Sequence, residues 1–172
     1  MTSREKKIVQ LKKLAAEIAS DLEAVAKISG KVKRLVEEVN QKNRPVEDRD
    51  MMLMAAYLHH FYTGLESIFE RISRDFDGGV SKRGDYHREL LRSMAIGIDG
   101  VRPRVISSEL AEELDDYREF RNLFRHAYGG ELRWKKMFHL AENTCVIYTL
   151  AETSLKGFIS FVLELASSLK GK

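Results

Sequence analysis

From Arg121 to Gly130 the chain reads Arg-Asn-Leu-Phe-Arg-His-Ala-Tyr-Gly-Gly. An arginine, a histidine and a tyrosine fall there in the spacing Arg-x4-His-x-Tyr, with Arg118 and Arg125 close by. Arginine grips a phosphate through the fixed fork of its guanidinium and stabilises charge developing on it, while histidine moves protons near neutral pH. Together they are equipment for breaking an RNA phosphodiester without a metal, the RNA's own 2′-hydroxyl acting as nucleophile. DNA lacks that hydroxyl and lies outside this chemistry.

These residues sit at the end of an amphipathic helix whose apolar stripe is Leu110, Leu114, Tyr117, Phe120 and Phe124. At about 100° per residue, Arg121 and Tyr128 lie about 20° apart and Arg125 about 40° from Arg121, at the edge of that stripe. His126 is about 140° from Arg121 on the same wheel, so one ideal helix does not point both at one phosphate. Either the helix loosens before Gly129, or a second subunit supplies the missing partner.

The elements that must carry the motif are helical. Only Pro45 and Pro103 interrupt the chain, and no stretch alternates with period two for long enough to read as a sheet. Ile8, Leu11, Ala15, Ile18, Leu22, Val25, Ser29, Val32, Val36 and Val39 recur in an unbroken 3-4 alternation, a heptad seam that asks for a partner helix along its length. It predicts one helix continuing through Gly30 and ending by Asn40–Pro45. A second helix is expected from Glu47 to Phe76, stopped by Asp77-Gly78-Gly79, with Gly64 letting a neighbouring helix come close. A shorter one spans Gly84 to Ile98 with Asp85 as N-cap, and a loop runs from Gly97 to Val105. The motif helix starts near Ser107-Ser108 and stops at Gly129-Gly130. A last helix runs from Phe138 or Ala141 to Leu169. The reading is all-α: an up-down bundle over 46–172 preceded by a long heptad-patterned helix over 1–42, which packs on the bundle or on a partner.

Composition bounds the rest. With 172 residues, 44% hydrophobic and 32% charged, the chain can bury a core unaided and should present a charged surface. Its one cysteine, Cys145, permits neither an intramolecular disulfide nor a cysteine-based zinc cage, suits a reducing cytosol, and reads as a small buried apolar residue. No run of about 18 apolar residues is present and the first residues run into an amphipathic pattern, so the expected location is the cytoplasm, with no membrane involvement. The net charge of +3 is too small to announce a nucleic-acid binder, but between Tyr117 and Lys136 six arginines and lysines face two acids. Extending that window back to Leu110 adds Glu112, Glu113, Asp115 and Asp116 and cancels the excess.

Plainer roles exist for each residue. Arg121 can be a structural arginine paired with Asp116 or Glu119, His126 a helix-end histidine favoured by the dipole, Tyr128 a core-edge tyrosine, and Arg118 and Arg125 part of a solvated charged face. His59-His60, His87 and His139 make no convincing metal site, because adjacent histidines cannot share a helix face and no His-Glu-x-x-His spacing accompanies them. No cofactor is expected. Glu66 and Glu70, with Arg71 and Arg74 nearby, read as a charged helix edge.

The Arg-x4-His-x-Tyr string, with polar Asn122 directly after the arginine and Gly129-Gly130 closing the helix, resembles the active-site motif of the HEPN superfamily, and within it the HepT ribonuclease toxins. The resemblance covers roughly residues 46 to 165. It implies a homodimer whose two motifs face each other and form a composite basic cleft, acting on RNA, encoded beside an MntA-type nucleotidyltransferase antitoxin. It implies Arg121 and His126 as catalytic residues, Asn122 as their polar support, and Tyr128 as the tyrosine that the antitoxin silences by AMPylation. In such a cleft His126 is the general base toward the 2′-hydroxyl and Arg121 holds the non-bridging oxygens, with Arg118 and Arg125 as accessory RNA contacts. The leaving oxygen is protonated, with the other subunit's His126 as a candidate donor, and a 2′,3′-cyclic phosphate or its hydrolysis product results. A nucleotide on Tyr128 would block RNA by charge and by volume. Two readings stand beside this one: a non-catalytic HEPN-like bundle that binds a nucleotidyltransferase or a nucleotide, and an interaction module working through its N-terminal seam.

Overall fold

The structure, a computed structural model, describes residues 1–41, 45–81, 84–126 and 132–170. Five helices form an all-α up-down bundle: α1 Ser3–Gln41, α2 Asp48–Ile72, α3 Tyr86–Met94, α4 Ser108–His126 and α5 Trp134–Ser168. Among the described residues there is no sheet, only an isolated bridge between Ile98 and Arg102.

The seam of α1 finds its partners within the chain. Leu11, Ala15, Ile18, Leu22, Val25 and Val32 are buried, and the helix lies along α5 and α2. These residues share one continuous core with α2, α4 and α5. A fully buried Leu, Ile or Val side chain contributes about 1.5–3 kcal/mol, so the five here together are comparable to the roughly 5–15 kcal/mol net stability of a domain. By that measure the bundle depends on α1, and the seam is covered rather than free for a partner. Gly30 lies inside α1 without breaking it.

α2 is the central element and touches each of the other four helices. Its stripe Met54, Leu58, Phe61, Tyr62, Leu65, Ile68, Phe69 and Ile72 is fully enclosed. A π-helical turn over Ser73–Asp77 then leads into Gly78, whose φ of 74° ends the helix, as the Asp77-Gly78-Gly79 string predicts. Arg102 holds this end. Its guanidinium makes two bonds of 2.7 Å to the Asp77 carboxylate and donates to the carbonyls of Ser93, Ile96 and Pro103. Those carbonyls lie at and just beyond the end of α3, so Arg102 fixes α3 against the end of α2.

α3 is shorter than Gly84–Ile98. Asp85 caps it, accepting from the Arg88 amide. At its other end the Met94 carbonyl accepts from the amides of Val105 and Ile106, which turns the chain away. α4 begins as expected, with the Leu110 amide donating to Ser107 Oγ at 3.1 Å. α5 begins at Trp134 rather than at Phe138 or Ala141, because Met137 is already buried and Trp134 packs on Phe138 with ring centroids 5.3 Å apart. Among the described residues α5 is the helix long and apolar enough to cross a membrane, and its stripe of Ala141, Ile147, Ala151, Leu155 and Val162 is buried within the bundle. Cys145 is half-buried, near Ser29 Oγ at 3.7 Å. The expected stop at Gly129-Gly130 lies outside the described residues.

Gly64 brings α1 and α2 together: a Cβ there would meet Val25 Cγ2 at 2.6 Å, whereas one on Gly157 in α5 meets nothing. Alanine gains up to about 1 kcal/mol of helix propensity at either site, but overpacking against a stiff β-branched residue costs about 1–3 kcal/mol. Gly157→Ala should therefore raise stability by about 1 kcal/mol and Gly64→Ala should lower it, as read by the urea midpoints of the two variants.

Candidate active site

α4 carries the motif with its apolar stripe against the core. Leu110, Leu114, Tyr117 and Phe120 are buried, and the Tyr117 hydroxyl donates to the Leu140 carbonyl at 2.8 Å, tying α4 to α5. Burial pushes that phenol up to about 12, so it stays a hydrogen-bond donor.

Arg121 points into the bundle. Its Nη2 pairs with Glu66 Oε2 on α2 at 3.1 Å, and its Nη1 lies 3.1 Å from His87 Nε2 on α3 and donates to Asn122 Oδ1 at 3.2 Å. The acid beside Arg121 is thus Glu66, not Asp116 or Glu119. Glu66 is itself buried and its other oxygen lies 2.7 Å from His87 Nδ1. One carboxylate holds an arginine from α4 and a histidine from α3. A guanidinium only donates, so His87 Nε2 accepts, and His87 Nδ1 carries the hydrogen donated to Glu66.

Below this network, the Tyr62 hydroxyl, Arg121 Nε and Arg118 Nη2 are buried with no hydrogen-bond partner among the described residues. Burial, then the nearby Glu66 charge, raises the Tyr62 phenol far above its ordinary range. Unsatisfied groups of this kind cost about 1–3 kcal/mol each, so these three place a local polar burden on the α2–α4 contact.

Arg118 departs from the sequence reading. It is buried rather than on a solvated face, with Nε 2.5 Å from Asp115 and Nη2 3.6 Å from Glu119. A guanidinium so enclosed and paired braces the helix. Arg125 and His126 are both exposed on α4. Asn122 is half-buried and its Oδ1 accepts from Arg121 Nη1. Tyr128 lies outside the described residues.

α4 remains helical through His126, so the roughly 140° between Arg121 and His126 stands. Arg121 faces α2 and α3. His126 is seven positions after Glu119 and shares its helix face to within about 20°. Glu119 lines a groove of about 740 Å³ between α4 and the start of α5. Phe120, Leu123, Met137 and Leu140 make the groove apolar, and Arg133, Lys136 and His139 give it a basic rim opposite Asp116 and Glu119. On the other side, the His59 ring packs on Phe124 with centroids 5.1 Å apart, and burial, then the charges of His60, Arg121 and Arg125, lower its pKa. Among the described residues no group of three or more His, Cys, Asp or Glu could hold a metal ion.

Sequence reasoning missed Glu66 and His87. Glu66 had a legible signal: it falls between Tyr62 and Phe69 on an otherwise apolar stripe, and an acid there demands a buried cation. Nothing in the local sequence of His87 tells that it meets Glu66 and Arg121.

The network separates the motif residues energetically. Arg121→Ala leaves Glu66 buried without its guanidinium partner and should cost about 3–5 kcal/mol, whereas exposed His126→Ala should stay within about 0.5 kcal/mol of the parent. Urea unfolding of both variants at pH 7 checks this, and equal stabilities would show the ion pair to be dispensable.

With this geometry in view, the family described as HepT-like protein matches residues 53–162, well over half of the chain. No curated protein and no solved structure matches it significantly.

Proposed function

We propose, for a chain that belongs to the HepT-like family, that it is a metal-independent endoribonuclease acting as a homodimer in the cytoplasm. The observation that carries this reading is the mounting of Arg121. Glu66 and Asn122 fix its guanidinium, and the His87 imidazole stands 3.1 Å from it, which supports a preorganised phosphate clamp. Mounted so, Arg121 binds the non-bridging oxygens of the scissile phosphate. The substrate's 2′-hydroxyl attacks the adjacent phosphorus, the bond to the 5′-oxygen breaks, and His126 serves in proton transfer. A 2′,3′-cyclic phosphate and a 5′-hydroxyl end are left.

Because Arg121 and His126 face different sides of α4, a second copy brings one protomer's His126 to the other's Arg121. The surface of α5 supports such pairing. Between Asn143 and Thr153 its exposed residues are Asn143, Val146, Thr149, Leu150 and Thr153, none of them charged. This strip begins next to His139, which lines the groove beside the motif helix. In a chain that is 32% charged, an uncharged strip with Val146 60% and Leu150 49% exposed is a seat for a second copy. The proposed physiological setting is a toxin–antitoxin pair in which an MntA-type nucleotidyltransferase AMPylates Tyr128 and so closes the cleft to RNA.

A second reading is favoured by one observation, that Glu66 already neutralises Arg121 in the single chain. It makes the protein a non-catalytic bundle that binds a nucleotidyltransferase partner or a nucleotide. Incubation of the unmodified protein with total cellular RNA in EDTA separates the two. The first reading expects discrete fragments ending in 2′,3′-cyclic phosphate, a fall of about 10²- to 10⁴-fold for His126→Ala, and the same loss for Leu150→Glu together with a monomeric elution volume. Intact RNA from folded wild-type protein would favour the second.

A further inference from the structure

We propose that His87, held by Glu66, is the base that accepts the 2′-hydroxyl proton, leaving His126 to protonate the departing 5′-oxygen. This rests on the endoribonuclease reading above. The two proton transfers of the reaction then belong to two histidines from different helices.

His87 Nδ1 donates to Glu66 at 2.7 Å, which leaves Nε2 as the acceptor, and in the resting chain Nε2 receives Arg121 Nη1 at 3.1 Å. A carboxylate that fixes the tautomer and leaves the opposite nitrogen as acceptor is the arrangement that makes imidazole a directed base. His126, exposed on α4, is open to solvent and can exchange with water the proton that an acid must supply.

Access is graded in the right sense. The His87 side chain is 28% exposed, against 9% for Arg121 and 5% for Glu66, so the imidazole forms the open edge of an otherwise enclosed network. The groups facing it are Glu66 from α2, Arg121 from α4 and the Tyr86 ring at 5.3 Å on its own helix; the Tyr86 hydroxyl donates to Glu70. When a phosphate reaches Arg121, Nη1 turns to a non-bridging oxygen and releases His87 Nε2. The released nitrogen lies within hydrogen-bond distance of the arginine atom that grips the phosphate, beside the ribose carrying the neighbouring 2′-hydroxyl.

The step balances. The O2′–H bond breaks and its proton passes to His87 Nε2, the O2′–P bond forms, the P–O5′ bond breaks, and the 5′-oxygen takes a proton from His126. His87 ends as an imidazolium against the Glu66 carboxylate, and exchange with water resets both histidines. Glu66 acts as a positioning residue for base and phosphate clamp together.

The test uses full-length protein and two short oligoribonucleotides, one natural and one with sulfur replacing the bridging 5′-oxygen, whose thiolate departs without a proton. His126→Ala should lose about 10²-fold or more on the natural substrate and regain most of it on the sulfur one. His87→Ala should lose a comparable factor on both, with KM within a few-fold. Free imidazole should restore its activity in proportion to the unprotonated fraction. His87→Gln, which still donates to Glu66 but offers no base, should be as slow as His87→Ala. Wild-type rates from His87→Ala, recovery by His87→Gln, or no response to imidazole would overturn the proposal. Failure of the wild type to cut either substrate would instead overturn the endoribonuclease reading on which it rests.

Discussion

The carboxylate of Glu66 is the point at which three helices agree on a geometry. It stands on the central helix, and each of its oxygens is taken by a different partner, Arg121 from α4 and His87 from α3. Enclosed charges of this kind add little net stability, because desolvation offsets most of their attraction, yet losing one partner is severe. Their effect is orientational. An apolar contact at this position would let α3 and α4 slide by an ångström at small cost, whereas a two-sided hydrogen-bonded acid does not. Arg102, held by Asp77, does the same at the far end of α3, so the short helix is pinned by His87 on Glu66 near its start and by Arg102 on the Ser93 carbonyl at its end.

The motif helix has a division of labour built into its faces. One side is turned inward to the polar network, and another borders the groove whose rim carries Arg133, Lys136 and His139. Arg121 and His126, the pair proposed to act together, are thus split by helical geometry alone. Family membership describes the kind of helical protein this is, while the physical case for the proposed chemistry rests on fixed donors and a tautomerically defined imidazole.

Much of the fold was legible in the sequence, and the reason is periodicity. The seam from Ile8 to Val39, the stripe of α2 and the serine cap of α4 are local patterns, and each marks its element to within a few residues. The start of α5 was not legible, since Lys135-Lys136 interrupts the apolar pattern just where Trp134 and Met137 already pack inward. The interior of the site was less legible still. Arg118 reads as surface charge until Asp115 and the enclosure of α4 are known, and Arg121 reads as paired within its own helix although its partner lies on α2. Charge pairs between helices are set by tertiary packing, and spacing along one helix carries no record of them. Tyr128 lies outside the described residues, so of the motif positions it is the one known by spacing alone.

The pairing of α1 with α5 has a temporal side. Arg4 Nε donates to the Leu169 carbonyl, so the first helix is closed by the last. On a ribosome adding roughly 5 to 20 residues per second, the α1 seam waits on the order of 5 to 25 seconds for α5 to be synthesised. The motif helix emerges within that interval, before the element that seals the core. The nascent chain therefore passes through a stage with a long apolar edge and an unfinished interior, the kind of surface that holding chaperones recognise. Contacts of such long sequence separation also make for slower folding than in bundles whose neighbours are consecutive. Onset of any activity is thus coupled to the arrival of the last helix.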